Sequence, residues 1–490
     1  MTRTVLLASI VWVSLAASAS AQSADKIVER HINALGGQRA LEQIVSSIVT
    51  GTVTRADGRS ETFTQETKRP NRLRISAPSV TGRWSVGFNG QSVWQDDRRD
   101  GLRTLMGRPA ANVRAEAAYA NREVLGEDGR RQFTLVGKDQ VRGRPVFVVE
   151  AMTHDVVKRT LFFDADSYLL LQEQHETEAG PEFRFFTDYR RVGPVMEPHR
   201  IEWRRGDDSI VITVDKVAHN AAIDDRVFDF PHSSDAPTID AAAIVSSAMR
   251  NQQKLEELLA SYAYTETLTN RDIDQTGRTL KEDVTVSEVF YAGGRVVRKL
   301  VKRNGHELSD EEKRREQKRV DGIVREYLQH PTRNVLAPGR ALSTSYTTSI
   351  YLRLLDFTNP RREQVGGTTA LVVDVRAKRD IQPQNDVELS LSKWAGTFWI
   401  DERAQQVMRS TTYFTEANKT FWLEGSWSSG DAARVNNEVW LPSSSEYQRT
   451  AAFGLKLVDK RFYHQTTAQY RDYRKFNVAS DYQITLPEVK

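Results

Sequence analysis

The feature that most constrains this chain is a period-two alternation that returns after each of two helical stretches. From Ser47, Ile48, Thr50, Thr52 and Thr54 alternate with their neighbours up to Asp57-Gly58, and Asp-Gly between alternating runs signals a hairpin. Asn89-Gly90 joins Arg83–Asn89 to Ser92–Gln95 in the same way, and the strand pattern runs on to Ile210–Val217. Before it, Ala24 to Ile44 places Ile27, Val28, Ile32, Leu35, Leu41 and Ile44 on one stripe, which predicts an amphipathic helix interrupted at Gly36-Gly37. A second helix is expected from Asp240 to about Leu259, and strands return from Tyr262–Asn270 to Ala468–Tyr473. Sequential strands with short turns predict an α+β, mainly antiparallel fold: two tandem curved-sheet half-barrels, each around its own N-terminal helix.

The halves share more than this opening. Gly143-Arg144-Pro145-Val146-Phe147-Val148-Val149-Glu150 followed by Leu161-Phe162-Phe163-Asp164 matches Gly367-Thr368-Thr369-Ala370-Leu371-Val372-Val373-Asp374 followed by Thr397-Phe398-Trp399-Ile400-Asp401. We read a divergent tandem duplication, with domains over residues 22–232 and 240–490 and a polar linker over 233–239. A helix is expected at Arg114–Val124, an exposed one in the charge-dense run Asp310–Arg319, and a further helix over Thr347–Leu355.

Residues 1–21 read as an export signal: Arg3, an apolar run from Val5 to Ala17, and Ala19-Ser20-Ala21 for cleavage. The expected location is the periplasm. The chain has no cysteine, which excludes disulfide scaffolds, thiolate metal sites, thiol catalysis and lipid attachment through an N-terminal Cys. A net charge of +4 over 490 residues makes no phosphate-binding surface, so no nucleic-acid partner is expected.

Catalytic signals are weak. The nine histidines form no His-Glu-x-x-His. Gly425-Ser426-Trp427-Ser428-Ser429-Gly430 lacks the spacing and strand-to-helix context of a nucleophile elbow. Asp272-Ile273-Asp274-Gln275-Thr276-Gly277 opens like a calcium loop, but Asp283 stands where Glu is needed and strands flank it, so a hairpin is expected. Asp164 and Asp166 read as turn residues rather than paired acids. Neither a catalytic residue, a metal nor a cofactor is assigned.

Lys68-Arg69-Pro70-Asn71, followed by Gly87-Phe88-Asn89-Gly90-Gln91-Ser92-Val93-Trp94, resembles the periplasmic carriers of the outer-membrane lipoprotein-sorting pathway, the LolA/LolB-like family. The Phe162-Phe163-Asp164 strand also fits. The likeness covers roughly Ala24 to Pro231; the second half shares the layout without the basic-Pro-Asn corner. It implies a half-open barrel whose apolar concave face holds acyl chains under a lid, with Arg69 at the position that holds the lid closed. The implied partners are lipidated protein or lipid acyl chains, with an outer-membrane acceptor or inner-membrane donor complex. Trp84, Phe88, Trp94, Phe147, Phe162 and Phe185 are the candidates for lining that groove, since a buried methylene contributes about 0.8 kcal/mol. The same alternation suits aromatics that simply pack on a helix, and it puts Phe162 and Phe163 on opposite sides. Two readings follow: a non-catalytic acyl-chain carrier, or an envelope interaction module with closed cores.

Overall fold

The computed structural model describes residues 23–476 apart from 80–81, 123–131, 153–156, 178–179, 232–239, 260, 275–277, 332–352, 417–425, 437–438 and 454–459. The expected export signal and the expected linker therefore lie outside the described residues. So does most of the expected helix at Thr347–Leu355, and from Leu355 the chain is a strand, Leu355–Val365.

Two antiparallel sheets carry the molecule. The first holds thirteen described strands between Ser46 and His219, the second eleven between Tyr262 and Lys475. Both follow one topology. The first strand of each pairs with the last: Ser46–Arg55 with Asp208–His219, and Tyr262–Ile273 with Lys460–Lys475. From that central pair the two arms run outward and end on edge strands unpaired with each other. The matched motifs occupy equivalent strands: Lys158–Asp164 and Trp394–Asp401 each lie fifth from the end of their run. Asp164 and Asp401 close equivalent turns, Asp164 accepting from the backbone N–H of Asp166 and Ser167, and Asp401 from those of Arg403 and Ala404.

The helices that accompany the sheets include α1 (Ala24–Leu35), α2 (Gln38–Glu42), α3 (Gly107–Ala120), α4 (Ala241–Leu259), α5 (Asp310–Gln329) and α6 (Asp386–Leu391). Gly36 and Gly37 take positive φ and separate α1 from α2, as their positions predicted. At Gly36 a Cβ would stand 2.4 Å from the Pro194 carbonyl oxygen, so the break also permits a close backbone approach. The apolar stripe of α1 buries Ile27 against Phe147, Val149, Leu161 and Phe163, which alternate onto one face of the first sheet. α4 uses Val245 and Ala248 in the same way against Leu371, Val373, Phe398 and Ile400.

The helices differ after that. α3 connects the two edge strands of the first sheet and lies on the same face as α1. α5, in the corresponding connection of the second sheet, packs Val320 and Val324 on Ala263, Phe290 and Val297, which face away from α4. Its Ser309 and Glu312 form a capping box, which explains the firm start of a helix whose exposed side is nearly all charge.

His31 of α1 is buried against the Phe163 ring, and its Nδ1 lies 2.8 Å from the Tyr168 carbonyl oxygen. Burial lowers its pKa from 6.5 to about 4, against the smaller opposing effect of that hydrogen bond. The unfolded chain therefore binds a proton that the native state refuses. Stability is full above pH about 6.5 and falls by about 3 kcal/mol as pH drops to about 4. Urea midpoints across this window are expected to fall less steeply in His31→Phe than in wild type; equal slopes would assign the titration to another group.

Candidate functional site

The helix-bearing face of the first sheet can be followed strand by strand. Its register carries Val53, Phe63, Leu73, Val86 and Phe88 on one arm and Phe147, Val149, Leu161 and Phe163 on the other. α3 lies across this face. Ala110, Ala111 and Ala117 meet Leu73, Val86, Phe88 and Val93, while Tyr119 reaches the core under α1. Pro109 falls in the first helical turn, where its missing N–H costs no intrahelical bond. This lets α3 begin seven residues before the expected Arg114.

Below α3 the face is charged rather than apolar. Arg159, Glu173 and Arg184 come from three consecutive strands, with Glu173 opposite both Leu161 and Arg184. Glu116 of α3 accepts from Arg159 at 2.6 Å and from Arg184 at 2.8 Å, and Arg159 also donates to Glu173 at 2.5 Å. The Arg159 guanidinium lies 4.1 Å from the centre of the Tyr119 ring. His175 and Glu182 extend the cluster, with His175 Nε2 3.9 Å from Glu182. Burial pushes the Glu116 carboxyl up, but Arg184 and Arg159 override it and hold the group well below the usual carboxylate range. Burial also lowers the His175 pKa, and the two guanidiniums add to that. The cluster acts as a tether, because a helix that leaves this face must separate Glu116 from two cations. A signal for it exists in the sequence. Arg159 shares the phase of Leu161 and Phe163, so a cation is aimed inward on a strand whose other inward residues are apolar.

The six aromatic candidates do not meet in one groove. Trp84, Phe88 and Phe147 lie on the helix-bearing face; Trp94, Phe162 and Phe185 lie on the other. Trp84 and Phe88 pack under α3, and Phe147 packs under α1, stacked 5.8 Å from Tyr168. Trp94 covers Gly87, where a Cβ would meet its indole at 2.3 Å, and donates Nε1–H to the Phe228 carbonyl at 2.9 Å. Phe162 packs with Val146, Val148 and Leu171, beside Phe185, over which the Arg142 guanidinium sits at 4.2 Å. The expectation that all six line a single cavity is therefore corrected: alternation divides them by parity, and a sheet separates the two sets.

Arg69 donates from its two terminal nitrogens to the carbonyls of Leu41, at 3.2 Å, and Glu42, at 3.4 Å, at the C-terminal end of α2. A guanidinium there meets the negative end of the helix dipole. A cleft of about 420 Å³ opens beside Thr62, Thr64 and Ser76, lined also by Glu61, Ala77 and Pro78. Ser426 is buried, and its Oγ accepts from the Thr450 N–H. Asp272 pairs with His464, and Asp274 closes a hairpin turn onto Arg278. Among the described residues no group of three or more acidic or histidine side chains is placed to hold a metal ion. No described helix is long and apolar enough to cross a membrane.

No protein-family model matches the chain, and no curated protein matches it. Solved structures do. The chain is similar to a LolA superfamily protein from Nitrosomonas europaea, at 13% identity and a TM-score of 0.30 over 42% of this chain and 97% of that one. It is similar to an outer membrane lipoprotein-sorting protein domain from Vibrio parahaemolyticus, at 12% identity and a TM-score of 0.28 over 42% and 97%. Across 92% of its length it is similar to 99% of a chain of the Pseudomonas aeruginosa MucA/MucB complex, at 10% identity and a TM-score of 0.19.

Glu116→Gln is expected to destabilise the protein by about 3 kcal/mol, because the buried Arg159 and the half-buried Arg184 lose a shared counter-charge. The wild-type contribution is present above the ordinary carboxylate range and is lost as pH falls below it. Denaturant titration at neutral and acid pH measures both. A loss within about 0.5 kcal/mol at neutral pH would leave α3 held by apolar packing alone.

Proposed function

We propose that this protein is an exported, non-catalytic carrier that takes acyl chains of lipids or lipoproteins on the helix-bearing face of its first sheet, beneath α3. The observation that carries this reading is the way α3 closes that face. The sheet is open, its edge strands Gly101–Leu105 and Gln132–Val141 are unpaired with each other, and the helix between them crosses the concave side. The side chains that α3 brings to the core of Leu73, Val86 and Phe88 are four alanines and Val113. Alanine buries little area per residue, so displacing such a helix forfeits less than displacing one built of leucines. The aromatic floor it uncovers, Trp84 and Phe88, matches the chemistry of an acyl chain.

Arg69 in this reading fixes α2 beside the groove, as its two bonds to helix-end carbonyls support. The donor and acceptor of the cargo would be membrane complexes at the two faces of the periplasm.

The second reading, an envelope interaction module with closed cores, is favoured by one observation. The six candidate aromatics are packed on helices or strands, and the two halves share a buried junction. Native mass spectrometry of the mature protein, purified without detergent, separates the two. The carrier retains an acylated species at near one-to-one stoichiometry. Trp84→Glu on the helix-bearing face is expected to lose it, while Phe185→Ala on the outer face keeps it. An empty wild-type chain that also takes up no added acyl probe would decide for the interaction module.

A further inference from the structure

α3 is held from both sides. Its alanines share a core with the helix-bearing face of the first sheet, and the same core includes Ala395, Tyr413 and Trp427 of the second sheet. Those three residues lie on the face of the second sheet opposite α4. The buried Arg114 guanidinium stacks 4.5 Å from the centre of the Tyr413 ring, whose hydroxyl donates to the Gly90 carbonyl at 2.9 Å. At its start Gly107 abuts Ser429, and Arg108 lies 3.9 Å from Glu446.

The strands leading into α3 are fastened to the same surface. Ser92 donates to Asp374 at 2.7 Å. Thr104 donates through its backbone N–H and its hydroxyl to Glu363, at 3.1 and 2.5 Å, and accepts from Arg361 at 2.6 Å. Arg361 in turn donates to Asp374 and lies over the Phe230 ring at 4.7 Å. Arg361, Glu363 and Asp374 are all buried at this junction. Partial opening would bare these charges before solvating them, so the junction favours two discrete states, closed or parted.

We infer that the second half is the lock of the first: its outer face clamps α3 shut, and the concave face admits cargo only when the halves part. This rests on the carrier reading and adds its regulation. The second half then needs no cavity of its own, which accords with α5 packing on the face away from α4.

The test uses the absence of native cysteine. A Cβ built on Gly107 would stand 3.9 Å from the Ser429 Cβ, close to the separation of about 3.8 Å found in disulfides. Gly107 has a φ of +59°, so a side chain there strains the start of α3; Gly107→Cys with Ser429→Cys is expected to bond the lid to its clamp on oxidation at some cost in stability. Uptake of dansyl-undecanoate by the oxidised double variant should fall about tenfold or more and recover with dithiothreitol, since apparent affinity scales with the open fraction. The reduced form of the same chain controls for folding. Tyr413→Ala, which removes two clamp contacts without a cross-link, should raise the uptake rate about threefold or more. Equal uptake by oxidised, reduced and wild-type protein, or an unchanged rate in Tyr413→Ala, would overturn the lock while leaving the carrier standing. No uptake by any form, wild type included, would overturn the carrier reading itself.

Discussion

A curved sheet has a concave face that a single helix is too narrow to cover, and in the first half of this protein the uncovered part is charged. Arg159 and Arg184 sit there with Glu173 and Glu182, and Glu116 of α3 completes the set. A buried cation such as Arg159 is tolerated only when paired. That requirement draws α3 across the face, and the placement of α3 determines what the second half can touch. The architecture follows from how one concave surface is closed.

The duplicated topology shows how far two copies diverge under that constraint. Both sheets pair first strand with last and lay an N-terminal helix on one face. The first copy uses α3 inward, and the second copy uses the corresponding helix, α5, outward. The outer face of the second sheet, freed from solvent exposure by Trp399, Trp427 and Trp440, becomes a packing surface for the first half. A copy whose concave face no longer needs to open can spend its polar residues on a junction, as Arg361, Glu363 and Asp374 do.

Much of this was legible from residues alone. The stripe Ile27, Val28, Ile32, Leu35 named α1, and Gly36-Gly37 named its end. Asp57-Gly58 and Asn89-Gly90 named their turns, and the shared Phe-Phe-Asp and Trp-Ile-Asp strands named the duplication before equivalent strand positions were known. The candidate groove was less legible. Alternation states that Trp94 and Val93 point to opposite sides, yet it does not state which side carries the helices. Sequence alone therefore groups Trp94 with Phe88, although the register sets them on opposite faces.

Sequence by itself determined the strands, the helices, their order and their repetition, because each depends on periodicities of two or 3.6 residues and on turn chemistry that acts within a few positions. The tertiary structure alone decided which strand faces carry the helices, that Glu116 meets cations 43 and 68 residues away, and that α3 lies between two sheets. Those outcomes arise from contacts between segments far apart in the chain, such as Ser92 with Asp374 and Gly90 with Tyr413. No local pattern encodes such partners; only the register accumulated across a whole sheet brings them together.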